Sequence, residues 1–300
     1  MMRAMFSAIS GLKSQQTMLD VTANNLANVN TLGFKASTTS FQDALSQTQR
    51  GGAAANAAGG FGGSNAAQVG LGVTVGAIGN RMGSGAIQTT GNPLDIAISG
   101  EGWMRVGQAS AAPNAAVPTT GIPAAADVNY TRAGNFIRNN DGFVTTQDGY
   151  YVVGRSQPGG AGVDVLINVP AGATDVSVGA DGAVTFIPPA AYVPPPPLPA
   201  VANGRATAGY VSLAKFPNEQ ALERASGNRF RANGSSGAAT VGTPGDNGYG
   251  SAMGGSIEMS NVDLATEFTN MIIAQRGFQA NSRVISTGDN MLQDLVNLNR

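Results

Sequence analysis

The sequence predicts an α+β protein, with N- and C-terminal helices forming a coiled-coil-like inner domain and a central all-β domain. Apolar residues recur every seven positions near both ends of the 300-residue chain, which is the spacing of a coiled-coil seam. The middle of the chain contains short segments rich in β-forming residues, separated by turn signals. The expected architecture therefore has helices at both ends, where apolar residues recur with a helical period, and β-strands between them.

The N-terminal helix is predicted over residues 3–29. Asn28, Asn30 and Gly33 follow the last apolar repeat and are typical of a helix end. The apolar residues of this helix predict one half of an assembly seam, which comprises Met5, Ile9, Leu12, Leu19 and Leu26.

The C-terminal helix is predicted to begin at a capping box formed by Ser260 and Asp263 and to continue to about residue 298. Its part of the assembly seam comprises Leu264, Phe268, Met271, Phe278, Ile285, Leu292 and Val296. Because a lone helix cannot bury such a stripe, each helix needs a partner. The partner is either a globular core, or the other helix together with neighbouring subunits. In the second case residues 1–34 and 258–300 form one terminal domain.

The region between the helices divides into two segments of different composition. Residues 35–70 are predicted to form a strap, since 50–68 are rich in glycine and alanine and almost uncharged. Residues 71–257 are predicted to form the β domain, with no room for an extra outer domain. Its tight turns are expected at three Asp-Gly pairs, Asp141-Gly142, Asp148-Gly149 and Asp181-Gly182. The proline-rich segment 188–199 favours a surface loop over a peptide ligand.

The composition argues against catalysis and against a cofactor or metal site. The chain has no cysteine and no histidine, which removes thiol chemistry, the commonest metal ligand and the usual acid–base group near neutral pH. No glycine-rich segment has the phosphate-binding form, and Asp141 and Asp148 do not have the spacing of a calcium loop. We therefore expect a protein that is not an enzyme.

Charge and hydropathy reduce the range of possible partners. The formal net charge is −1 and the basic residues are scattered, so we expect no nucleic-acid partner. No apolar stretch reaches the length of a membrane-spanning helix, and residues 1–25 lack the apolar region of a secretory signal. We therefore expect no membrane insertion.

The most informative motif is ANNLANVNTLGF at residues 23–34. A helix stop accounts for the glycine and the aromatic residue, but it does not explain three asparagines at 24, 25 and 28. This segment resembles the signature of the flagellar rod and hook family. The matching positions are Ala23, Asn24, Asn25, Leu26, Ala27, Asn28, Thr31, Gly33 and Phe34.

Segments elsewhere in the chain resemble the same family in the same order, including 68–73, 90–98, 130–134 and 258–264. Residues 275–283 and the ending at 295–298 resemble hook proteins. The resemblance implies a hook subunit that self-assembles into a curved tube and acts as a universal joint, transmitting motor torque from rod to filament. The alternative within the family is a distal rod protein of the basal body. An alternative of a different class is a ligand- or surface-binding β domain with helical oligomerisation ends.

The resemblance also implies partners and a location. It implies a homopolymer of many copies that contacts the distal rod protein, the hook cap protein and the hook–filament junction protein. It further implies signal-less export through the flagellar type III apparatus and a final position outside the cell, in the hook or basal body. The absence of cysteine is compatible with passage as an unfolded chain.

Overall fold

The computed structural model describes residues 2–298, except for 53, 55–62, 112, 114–118, 120, 124–126, 160, 161, 190–193, 197, 200–203 and 247. The chain forms two compact units. The helical unit comprises Met1–Ala27, Ser37–Asn80 and Asp263–Arg300, and the sheet unit comprises Asn28–Ala36 and Arg81–Val262. The α+β class is therefore confirmed.

The helical unit contains both long helices and two antiparallel ribbons. Its elements are α1 (Met2–Ala27), β1 (Ser37–Asp43), β2 (Ser46–Arg50), β3 (Ala67–Gly70), β4 (Val73–Asn80) and α2 (Leu264–Leu298). Strand β1 pairs with β4, and β2 pairs with β3. Strands β1 to β3 thus lie within the predicted strap 35–70, while its central residues 55–62 are outside the described residues.

The start of α2 differs from the predicted capping box. The Asp263 carboxylate accepts the Ala265 N–H at 3.1 Å and the Thr266 hydroxyl at 2.6 Å. Asp263 is therefore the residue whose side chain caps the first turn, by accepting one of its open N–H groups. Ser260 instead accepts the Val262 N–H within the sheet unit, and so belongs to the turn before the helix.

The described residues of the sheet unit contain seventeen short strands. They are β5 (Ile87–Thr89), β6 (Ile96–Ser99), β7 (Trp103–Gly107), β8 (Val128–Thr131), β9 (Ile137–Arg138), β10 (Val144–Thr145), β11 (Tyr151–Arg155), β12 (Asp164–Leu166), β13 (Thr174–Val178), β14 (Ala183–Ile187), β15 (Ala206–Val211), β16 (Leu213–Lys215), β17 (Glu223–Ala225), β18 (Arg229–Arg231), β19 (Thr240–Gly242), β20 (Ser251–Gly254) and β21 (Ser256–Glu258).

Within the part of the unit that the structure describes, thirteen of these strands join into one antiparallel network. Its main path runs β13-β14-β15-β11-β7-β8-β18-β17, and β9, β10, β12, β16 and β19 pair alongside it. Strand β20 pairs with β6, and β21 pairs with β5. The predicted Asp-Gly turns connect β9 to β10, β10 to β11 and β13 to β14, with each glycine at positive φ. Local turn chemistry therefore predicted these hairpins correctly.

Two apolar clusters fill the sheet unit. The larger one includes Val106, Val152 and Phe186. The smaller one is built around Trp103, whose ring meets Phe230 edge-on at 4.9 Å between centroids. Trp103 is completely buried and is the only tryptophan of the chain. Its fluorescence therefore reports specifically on the folding of this unit.

Candidate functional site

The two terminal helices contact each other through small and polar residues. The buried residues of α1 are Ala8, Gly11, Ser14, Thr22 and Asn25. Of these, Ser14 and Asn25 hydrogen-bond to the strands, at Val73 and Ser37, whereas Gly11 faces α2. In α2 the corresponding stripe recurs every seven residues: Glu267, Ala274, Asn281 and Gly288. A Cβ atom at Gly11 would lie 2.7 Å from Asn281 Nδ2, and one at Gly277 would lie 2.9 Å from Gln15 Cδ. The later contact residue of α1, Gln15, meets the earlier contact residue of α2, Gly277. The two helices are therefore antiparallel.

No residue of the predicted assembly seam is fully buried in this single chain, although Met5 packs against the stripe, 3.4 Å from where a Cβ of Gly288 would lie. Met5, Leu12, Leu19, Leu26, Met271 and Ile285 are half-buried, and Ile9, Leu264, Phe268, Phe278, Leu292 and Val296 are exposed. Exposure reaches 50% at Phe268 and 68% at Val296. Hydrophobic periodicity therefore marked an apolar face that one chain leaves partly uncovered. The contact within the chain uses small side chains, which such a periodicity does not detect.

Most of the exposed apolar residues of α2 form two bands, one on each side of the contact stripe, while Ile272, 57% exposed, and Leu292, 36% exposed, lie outside both bands. The position of each residue around the axis of α2 follows from the rotation of about 100° per residue in an α-helix. Flank A comprises Leu264, Phe268, Phe278 and Val296, and flank B comprises Ile273, Val284, Met291 and Leu298. A mostly polar band that includes Thr269, Arg276 and Asn290 separates the flanks on the far side. On flank B, Val284 and Met291 line a groove of about 280 Å³ together with Met5 of α1.

Asn25 is the signature residue with the clearest role in the helical unit. Its side chain is 1% exposed. Its amide nitrogen donates to the Ser37 carbonyl at 2.8 Å, and its Oδ1 accepts the Ser37 N–H at 2.9 Å. Asn25 thereby acts as a one-residue β partner at the start of β1. Aspartate lacks the amide donor, which explains why an asparagine stands here.

The other signature residues fall into two groups. Ala23, Asn24 and Ala27 are exposed and Leu26 is half-buried on α1. In the sheet unit, the Thr31 hydroxyl donates to Asn28 Oδ1 at 3.1 Å, and Arg224 stacks on the Phe34 ring at 4.6 Å.

Gly33 is the signature position with the tightest surroundings in the sheet unit. It has φ +65°, and a Cβ there would lie 2.4 Å from the Ala133 nitrogen. Its N–H donates to the Glu258 carbonyl at 2.8 Å. A left-handed conformation against a neighbouring backbone accounts for the glycine.

A buried ionic triad lies beside this segment of the sheet unit. Glu258 bridges two cations, with Oε1 at 2.7 Å from Lys35 Nζ and Oε2 at 3.2 Å from Arg132 Nη1. The side chains of Lys35 and Glu258 are 0% exposed, and that of Arg132 is 3% exposed. Both cations also face the Trp103 ring, at 5.9 and 5.4 Å from its centroid.

Backbone groups complete the surroundings of the triad. Lys35 donates to the Gly83 carbonyl at 2.9 Å, Arg132 donates to the Gly100 carbonyl at 2.8 Å, and the Gly85 N–H donates to Glu258 at 2.8 Å. Burial lowers the pKa of Lys35, and the neighbouring Glu258 carboxylate opposes that shift. The cluster thus carries two cations and one anion away from water, which is tolerable only because each charge is closely paired or hydrogen-bonded.

Sequence reasoning missed this triad. No role was predicted for Arg132, which is buried. Lys35 and Glu258 are 223 positions apart and Arg132 is 126 positions from Glu258. No periodicity or local motif connects residues at such separations.

The described residues offer neither a metal cluster nor a membrane-spanning helix. No group of three or more histidine, cysteine or acidic side chains there is placed to hold a metal ion. None of the helices within the described ranges has the length and apolar character needed to cross a membrane.

Three family profiles match successive parts of the chain. Residues 5–35 match the flagella basal body rod protein family, residues 122–186 match the D1 domain of the flagellar hook protein FlgE/F/G family, and residues 253–298 match the C-terminal region of the flagellar basal body rod FlgEFG proteins. These matches include the signature segment, part of the sheet unit and α2.

Several relatives align with the whole chain. The flagellar basal-body rod protein FlgG of Bacillus subtilis is 42% identical, with 100% of both chains covered. FlgG of Caulobacter vibrioides is 37% identical over 97% of both chains. The flagellar hook protein FlgE of Borreliella burgdorferi is 26% identical over 99% of this chain and 100% of its own. The chain belongs to the family of flagellar rod and hook proteins, and it is a structural component of the flagellum rather than an enzyme.

Proposed function

We propose that the protein is a distal rod subunit of the flagellar basal body that self-assembles into a tube through its terminal helices. The observation that carries this proposal is the pair of uncovered apolar flanks on α2. Burying apolar area is worth about 25 cal/mol per Å², so exposed bands of large side chains along a helix favour association.

The two flanks favour a polymer over a closed dimer. A heterologous contact, in which flank A of one chain meets flank B of the next, leaves one free flank at each end of a growing assembly. Such a contact produces a ring or an open helical array. Under this proposal the helices of neighbouring subunits together form the coiled-coil-like inner domain, and the seam residues supply its apolar packing.

The C-terminal motif favoured a hook protein, whereas the relatives support a distal rod protein. Seven FlgG rod proteins are 30–42% identical over 97–100% of this chain. The alignment to the hook protein extends over 442 positions, whereas this chain has 300 residues. The rod proteins match in length as well as in sequence, which supports the distal rod. The motif at 275–283 is compatible with both members of the family and therefore did not separate them.

The remaining partners follow from the same proposal. The principal partner is further copies of this chain, and the hook that continues the axial tube is the expected neighbour at one end. Export without a cleaved signal through the flagellar type III apparatus is part of the proposal.

Immunogold electron microscopy of isolated hook–basal bodies tests the assignment. Antibody against the sheet unit is expected to label the rod and to leave the curved hook unlabelled. Antibody against the hook protein of the same organism serves as the control. Gold along the length of the hook would support the hook instead, and gold on neither structure would refute an axial role.

A further inference from the structure

The ionic triad joins three distant parts of the sheet unit. Lys35 lies in the segment 28–36, Arg132 follows β8, and Glu258 ends β21. Backbone bonds reinforce the same junction, since Gly33 N–H donates to the Glu258 carbonyl and Asn261 N–H donates to the Phe34 carbonyl. The segment 28–36 is therefore docked against a part of the chain that follows it by more than 200 positions.

The charges in this junction are not interchangeable. Among the described residues, Glu258 is the one carboxylate within ion-pairing distance of Lys35 or Arg132. Without its charge, docking would bury two cations with no carboxylate in contact with either, and an unpaired buried charge is far more costly than a missing hydrogen bond. Closure of the unit thus depends on a residue near the end of the chain.

We propose that Glu258 is a closing clamp, whose carboxylate makes the docking of the segment 28–36 on the sheet unit conditional on the C-terminal part of the chain. Until Glu258 is in place, repulsion and desolvation of Lys35 and Arg132 keep the signature segment open. A chain that lacks this region then cannot complete the unit. This inference concerns a single chain and does not depend on the proposed role in the rod.

A role for Glu258 in hydrogen bonding alone predicts a different result from the clamp. Variants that differ in the net charge of the triad distinguish these two roles. The triad carries +1 in the natural protein, +2 in Glu258→Gln, and +1 again in the double variant Lys35→Met/Glu258→Gln. Glutamine keeps an oxygen that can accept the Gly85 N–H. The double variant also loses the hydrogen bonds that Lys35 donates to the Gly83 carbonyl and to the side-chain oxygen at position 258, so a role in hydrogen bonding alone predicts that it is at least as disrupted as the single variant.

Hydrogen exchange of the Gly33 and Asn261 amides in the full-length monomer measures the docking directly. In Glu258→Gln we expect these amides to exchange about a hundredfold faster than in the natural protein, as for removal of one partner of a buried ion pair. In the double variant we expect them to return to within about tenfold of the natural rate. Glu223→Gln, which removes an exposed carboxylate, is the matched control and should leave both rates unchanged.

Trp103 fluorescence shows whether the whole unit remains folded in each variant. If Glu258→Gln unfolds the unit entirely, recovery of the native emission in the double variant supports the clamp. Natural exchange rates in Glu258→Gln would overturn it. A double variant that is as open as Glu258→Gln, or more so, would also overturn it.

Discussion

Replacing Phe268 by aspartate is expected to abolish polymerisation while the sheet unit stays folded. Phe268 is 50% exposed in a single chain, so the substitution costs the monomer little. In a polymer the same position would bury an unpaired carboxylate, at a cost of several kcal/mol repeated in every subunit. Sedimentation and electron microscopy measure the assembly, and Trp103 fluorescence reports the state of the sheet unit.

Thr269→Asp is the control for this prediction, since it adds the same charge one residue away, in the mostly polar band of α2. It should still polymerise. Met291→Asp, on flank B, should block assembly as Phe268→Asp does. A mixture of the Phe268→Asp and Met291→Asp proteins retains one intact flank of each kind, so we expect it to form dimers and to stop there. Dimers formed by either variant alone would indicate like-to-like contacts and would contradict the heterologous arrangement.

Gly33→Ala is expected to destabilise the sheet unit by about 3 kcal/mol or more. Two causes add together. An alanine at φ +65° costs roughly 1 kcal/mol, and its Cβ would lie 2.4 Å from the backbone nitrogen of Ala133, so a backbone segment would have to move. Urea unfolding followed by Trp103 fluorescence measures the free energy of unfolding.

Gly91→Ala provides a control for the conformational cost alone. Gly91 has φ +74°, and a Cβ at this position would have no heavy atom within 4 Å. It lies in the same sheet unit, so the same fluorescence signal applies. Its expected cost is about 1 kcal/mol. Equal losses in the two variants would show that close packing of Gly33 against Ala133 contributes nothing.

The parts of the fold governed by local chemistry were predictable. The Asp-Gly pairs specify hairpin turns wherever they occur between β-forming segments, and the heptad repeats specify two long helices. Even so, sequence reasoning placed the cap of α2 at Ser260 instead of Asp263. Several side chains near a helix start can serve as caps, and only the path of the backbone decides between them.

The parts of the candidate site that depend on distant contacts were not predictable. Nothing local indicates that Lys35 is buried or that Glu258 neutralises it. Pairing of the two helices was one of the predicted arrangements, but the residues of their contact were missed, because glycine, alanine and asparagine at Gly11, Ala274 and Asn281 carry no hydrophobic signal. The large apolar residues that did carry a signal are half-buried or exposed in one chain. The most visible pattern in the sequence therefore describes contacts with other subunits in the proposed assembly.

Thiol labelling at flank B tests most directly whether the uncovered apolar bands are subunit contacts. The chain has no cysteine, so Val284→Cys introduces a single reactive group, and Arg276→Cys places one in the mostly polar band as a control. Burial of a side chain in an interface blocks its reaction with a water-soluble alkylating reagent. We expect labelling of Val284→Cys to slow at least about tenfold on polymerisation, with a smaller change for Arg276→Cys. Equal labelling of Val284→Cys in monomers and in well-formed tubes would contradict the account.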